Sequence, residues 1–193
     1  QWRTAGGGII HDEFHSAAYS AAGGPFEMVQ LWVNLPPKDK MTPAHYQGIT
    51  DASIPSVALP DGAARVRVIA GEFDGNKGPA ETYTPMNVWD LRLSAGKPVD
   101  LAQPEGWSTL VVVLDGTVLL NGDTVLRAAD MATLSSAGSG VTIEANGDAK
   151  VLLLAGEPID EPVVGYGPFV MNSQQEIAEA ISDFNSGKFG SMG

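Results

Sequence analysis

Cysteine is absent from the 193 residues. Without a thiol the chain has no disulfide, no thiolate metal ligand and no cysteine nucleophile, which removes zinc-ribbon sites and thiol catalysis. Missing disulfides fit a reducing compartment, so the cytoplasm is the expected location. Histidine is scarce: His11, His15 and His45 are the only three, and nothing beyond residue 45 can supply an imidazole. Basic residues number 11 against 23 acidic ones, for a net charge of -12 and a pI near 4.4. Such a field repels phosphate backbones and anionic lipid, so neither nucleic acid nor a membrane is an expected partner. No apolar run approaches the ~20 residues that span a bilayer, and no signal-like leader opens the sequence.

What is present is 44% hydrophobic content at a mean hydropathy of zero, enough for a real core in one large domain or two small ones. Residues 1–15 read as a short strand, a turn at Gly6-Gly7-Gly8 and a second strand carrying Ile10-His11-Asp12-Glu13. Alternate side chains of a strand share a face, so His11 and Glu13 point the same way. An imidazole beside a carboxylate is either half of a transition-metal site or a strand with one solvated and one packed polar side chain. His15 would share that face, but same-face positions lie ~6.6 Å apart. Metal bonds of ~2 Å do not bridge three such positions in a straight line, so His15 is not expected to ligate unless the strand kinks. His45 follows Pro43 in an irregular stretch and reads as a surface or packing residue. Serines near His15 form no Gly-x-Ser-x-Gly elbow, and the glycine-rich stretch 71–78 fits no phosphate loop.

Residues 27–34 are rich in strand formers and predict a third strand, with Met28, Gln30 and Trp32 on one face. That face lines a pocket or meets solvent. Prolines at 36, 37, 43, 55 and 60 break the chain up to residue 60. From residue 64 short strands recur at 65–70, 88–93, 109–114, 117–120, 131–134, 141–144 and 150–154, separated by Asp115-Gly116, Asn121-Gly122-Asp123 and Asn146-Gly147-Asp148. A closed or nearly closed antiparallel barrel is expected. Val111 to Leu114 and Val151 to Leu154 lack alternation and predict strands buried on both faces. Ser173-Gln174-Gln175-Glu176 is a capping box; Ile177, Ala180, Ile181 and Phe184 follow at helical spacing, and Gly187 supplies a stop. This helix is expected to lie across the outside of a barrel.

Thr4-Ala5-Gly6-Gly7-Gly8-Ile9-Ile10-His11-Asp12-Glu13, Gln30-Leu31-Trp32-Val33-Asn34-Leu35-Pro36, Lys40-Met41, Tyr46-Gln47, Gly156-Glu157-Pro158 and Gly167-Pro168-Phe169-Val170-Met171-Asn172 together resemble the pirin family, in order, from the first residues to about Gly190. The resemblance implies an all-β bicupin: two antiparallel barrels and a C-terminal helix. It divides the chain into a metal-binding cupin remnant with a crossing segment (1–60), a C-terminal cupin (61–172) and the helix (173–190). In the family the N-terminal cupin binds one non-haem iron through an early His-x-His pair and a later His-x-Glu. By resemblance His11 and Glu13 are the later pair, and the early pair is expected upstream of Gln1. The cofactor implied is Fe(II), with other divalent transition metals as alternatives.

Two functions follow from the resemblance. One is a quercetinase-type dioxygenase, in which Glu13 is also the catalytic base and Phe14, Gln30 and Trp32 contact the flavonol. The other is a non-enzymatic, metal-dependent regulator that binds a transcription factor or metabolic enzyme.

Overall fold

The computed structural model describes residues 1–191. The chain gathers into two compact units, one made of Gln1–Trp2 with Gln47–Ile159, the other of Arg3–Tyr46 with the chain from Asp160 onward. Along the sequence come β1 (Trp2–Thr4), the short helix α1 (Ala17–Ala22) and β2 (His45–Gln47), with β1 and β2 paired as a two-stranded sheet. Next are β3 (Ser56–Ala58), β4 (Ala64–Ala70), the hairpin β5–β6 (Glu72–Phe73 and Asn76–Lys77), β7 (Met86–Leu93) and β8 (Pro98–Ala102). Then follow β9 (Ser108–Asp115), β10 (Thr117–Leu120), β11 (Thr124–Arg127), β12 (Met131–Thr133), β13 (Gly140–Ala145) and β14 (Ala149–Gly156).

The first unit is two sheets around one core. The six-stranded sheet runs β12-β9-β14-β7-β4-β3 and the four-stranded sheet β11-β10-β13-β8, with every ladder antiparallel. Val66, Val68, Trp89, Leu91, Val111, Val113, Val151 and Leu153 enter the core from the first sheet, and Val99, Leu101, Val118, Leu120, Val141 and Ile143 from the second. Alternate positions face inward because the strand period is two. The all-β expectation holds, but the sheets are separate layers and not one closed ladder. The reason lies at the turns. Of the three turns expected from the sequence, only Asn121-Gly122-Asp123 makes a hairpin, between β10 and β11. Gly116 instead carries the chain from one sheet to the other: it adopts φ +87, and a Cβ there would stand 2.8 Å from the Asp148 carbonyl oxygen. Nor is β9 buried on both faces, since Val111 and Val113 are fully buried while Leu110, Val112 and Leu114 are only half-buried.

In the second unit β15 (Val164–Tyr166) and β16 (Phe169–Met171) form a hairpin, followed by α2 (Gln174–Asn185). The N-cap is present, the Ser173 hydroxyl accepting from Glu176 N (3.2 Å), while the Glu176 carboxylate reaches one residue past the cap and accepts from Asn172 N (2.9 Å). Ile177 and Ala180 are buried. The helix packs on the β15–β16 hairpin, within the unit that holds residues 3–46. That hairpin offers the apolar surface the barrel reading overlooked. Phe169, Phe184 and Phe189 make mutual ring contacts at 6.0–6.4 Å.

Two expected strands do not form. Residues 8–15 and 27–34 lie outside any ladder. Strand propensity expresses itself only where a neighbouring strand completes the hydrogen bonds, and no described strand pairs with either stretch. Ser16 instead caps α1, its hydroxyl accepting from Tyr19 N at 3.1 Å. No helix among the described residues is long and apolar enough to cross a membrane.

Candidate metal centre

The chain reverses direction between Thr4 and Ile9. Gly8 N donates to Ala5 O and Gly7 N to Thr42 O, both at 2.9 Å. Gly6 adopts φ +52, and a Cβ on it would stand 1.9 Å from the Thr42 carbonyl oxygen, so any other residue would push this turn apart. The reversal returns residues 11–13 to the side chain of Arg3, which extends from β1.

There His11 and Glu13 come together, though not through the pleat of a strand. His11 Nδ1 and Glu13 Oε1 are 4.0 Å apart. The Arg3 guanidinium lies between them: Nη1 donates to Glu13 Oε1 at 3.0 Å and makes a close hydrogen bond to His11 Nδ1. The imidazole accepts through Nδ1, since a guanidinium only donates. The Arg3 guanidinium carbon also stands 5.6 Å from the centre of the Tyr46 ring, within cation–π range. The Arg3 side chain is 17% exposed, and those of His11 and Glu13 are 43% and 50%, so both members of the pair are open to solvent.

The remaining candidates are dispersed. His15 packs its ring on Tyr19 and Phe26, at 5.4 and 4.6 Å, in an aromatic cluster beside α1. His45 lies on β2. Phe14 is 87% exposed and Trp32 65%, and Gln30 is exposed as well; all three face solvent. Among the described residues no group of three or more His, Cys, Asp or Glu side chains converges. The participant that sequence reasoning missed is Arg3. Its only signal was a lone cation beside a glycine-rich reversal in an acidic chain.

Residues 88–190 match the model of the pirin C-terminal cupin domain. The chain belongs to the pirin family. It is 51% identical over 189 residues to a Pseudomonas aeruginosa protein provisionally named a quercetin 2,3-dioxygenase, covering 98% of this chain and 66% of that one. Rat pirin is 38% identical over 197 residues, covering 100% of this chain and 65% of its own. A crystal structure of quercetin 2,3-dioxygenase from Acinetobacter baumannii superposes with a TM-score of 0.95 at 52% identity, covering 98% of this chain and 66% of that one. The chain therefore spans slightly under two thirds of the length of these relatives. The two facing sheets of the first unit are a cupin of this family.

Does the donor set suit a transition ion? An imidazole and a carboxylate are ordinary ligands for such a metal. The chemistry fits as two ligands of a larger set. The cupin of the first unit offers nothing comparable, since all three histidines precede it or lie at its margin and its interior is filled by Trp89, Leu91, Leu153 and their neighbours.

Proposed function

We propose that the protein acts as a non-haem Fe(II) dioxygenase that opens a flavonol ring with O2, with His11 and Glu13 as two of the iron ligands. One observation carries this reading: an imidazole nitrogen and a carboxylate oxygen from residues 11 and 13 converge on a single cationic nitrogen. Bound iron would supply open coordination positions for dioxygen and the flavonol oxygens. The chain supplies the rest. His11 would offer a ring nitrogen to the metal, and Glu13 would ligate through one carboxylate oxygen while the other accepts the flavonol hydroxyl proton. Glu13 is half-exposed, which gives a planar substrate an approach. Phe14 and Trp32 offer exposed rings for such a substrate and Gln30 an amide.

The test is to load the protein anaerobically with Fe(II), add quercetin in air, and follow the flavonol absorbance. Loss faster than with free iron, abolished by Glu13→Gln, is the expected result; a rate equal to that of free iron removes the enzyme reading.

A second reading has its own observation. Phe26, Met28 and Trp32 are each at least 60% exposed within a stretch that joins no sheet, and exposed apolar groups of this kind mark binding surfaces. On that reading the protein is a metal-dependent regulator docking a protein partner, and the quercetin assay separates the two.

A further inference from the structure

The cation position between His11 and Glu13 is filled by a side chain of the protein itself. Arg3 Nη1 hydrogen-bonds both donor atoms, and the guanidinium is backed by the Tyr46 ring at 5.6 Å. A metal held by His11 Nδ1 and Glu13 Oε1 needs the same lone pairs that Arg3 now engages. Two cations do not share that place readily, because like charges at bonding distance repel strongly. We propose that Arg3 is an internal cation competing with the metal for the His11–Glu13 pair, so that loading requires its guanidinium to leave. This rests on the assignment of His11 and Glu13 as ligands.

The arrangement has a direction. With Arg3 in place the carboxylate carries a compensating cation on Oε1. With Arg3 withdrawn, the pair becomes an anionic bidentate site in an acidic protein of net charge -12, which draws divalent ions by long-range attraction as well. Hydrogen bonds to charged groups are individually strong, and the metal must displace two of them. Removing the guanidinium should therefore tighten metal binding by about ten- to a hundredfold.

Cobalt(II) is the probe, titrated into wild type, Arg3→Met, Arg3→Gln, His11→Ala and Glu13→Gln and followed by calorimetry and by the visible absorbance of the bound ion. The expected result is tighter binding to both Arg3 variants and weaker binding to the His11 and Glu13 variants. Two Arg3 substitutions guard against one of them misfolding. Added guanidinium chloride, at concentrations well below those that unfold the protein, should compete with cobalt in Arg3→Met and scarcely at all in wild type, where the position is already filled; a purely structural role for Arg3 would not produce that difference. If His11→Ala and Glu13→Gln weaken binding while the Arg3 variants bind no tighter than wild type, the competition is refuted and the ligand assignment stands. Binding that ignores His11 and Glu13, or no binding by any of the five proteins, refutes both.

Discussion

The ring of Phe189 occupies the space in which a side chain at Gly8 would begin. Gly8 adopts φ +125, and a Cβ there would stand 2.2 Å from Phe189 Cε1. Two features thus demand glycine at once, the backbone angle and the neighbouring ring. Gly8→Ala is expected to destabilise the second unit by about 1–3 kcal/mol through overpacking, read as a lower urea midpoint. Phe189→Ala in the same molecule should recover part of the loss. A double-mutant cycle with no coupling would mean the strain lies in the backbone alone.

Asp90 on β7 is buried between two arginines. It accepts from Arg92 at 2.5 and 3.0 Å and pairs closely with Arg67, which reaches on to Asp51. The Asp90 side chain is 7% exposed, whereas that of Asp51 is 89% exposed. Asp90→Asn should cost about 1.5–3 kcal/mol, the scale of hydrogen bonds to charged groups. Asp51→Ala should stay within about 0.5 kcal/mol, as exposed pairs contribute little. Chemical denaturation of the two variants gives the comparison.

Lys40 is 8% exposed and donates to Asn34 Oδ1. Burial lowers its pKa from 10.5, and the carboxylate of Glu176 opposes that shift only partly. The unfolded chain therefore binds more protons than the folded one between the lowered value and 10.5, and stability rises with pH through that window. Below it both states are protonated, and the cost of burying the charge is fully present. Lys40→Met should flatten this alkaline rise, which equilibrium denaturation across the pH range measures directly.

Iron content separates the three histidine-region candidates. His11→Ala and Glu13→Ala should each lower bound iron by about tenfold or more, by analogy with the tenfold and larger losses seen when metal-site partners are removed. His15→Ala should leave it nearly unchanged, because that ring is committed to Tyr19 and Phe26. Elemental analysis after anaerobic loading decides; equal losses in all three would return His15 to the ligand set.

The strands at 65–70, 88–93, 109–114 and 150–154 were legible because each is a short run of strand formers bounded by turn residues and finds a partner in the folded chain. Residues 8–15 and 27–34 carry comparable propensity, yet no ladder receives them, and propensity alone does not make a strand. The N-cap at Ser173 was readable because its hydrogen bond is local. By the same token Ser16 before Ala17-Ala18-Tyr19-Ser20 was a readable start for α1, but the strand reading of its neighbours masked it. Arg3 escaped notice for the opposite reason: it is eight residues from His11, and only the closed turn at Gly6 makes them neighbours.

The segment that bears His11 and Glu13 belongs to no sheet, while the cupin strands are locked in ladders up to eight residues long. Amide protons in the two regions should accordingly exchange with solvent deuterium on separate timescales, quickly by local opening around residues 8–16 and slowly by global unfolding along β7, β9 and β14. Occupation of the pair by a metal would then register as a slowing confined to the first region. The protein could change its ligation state without disturbing the thermodynamics of its core.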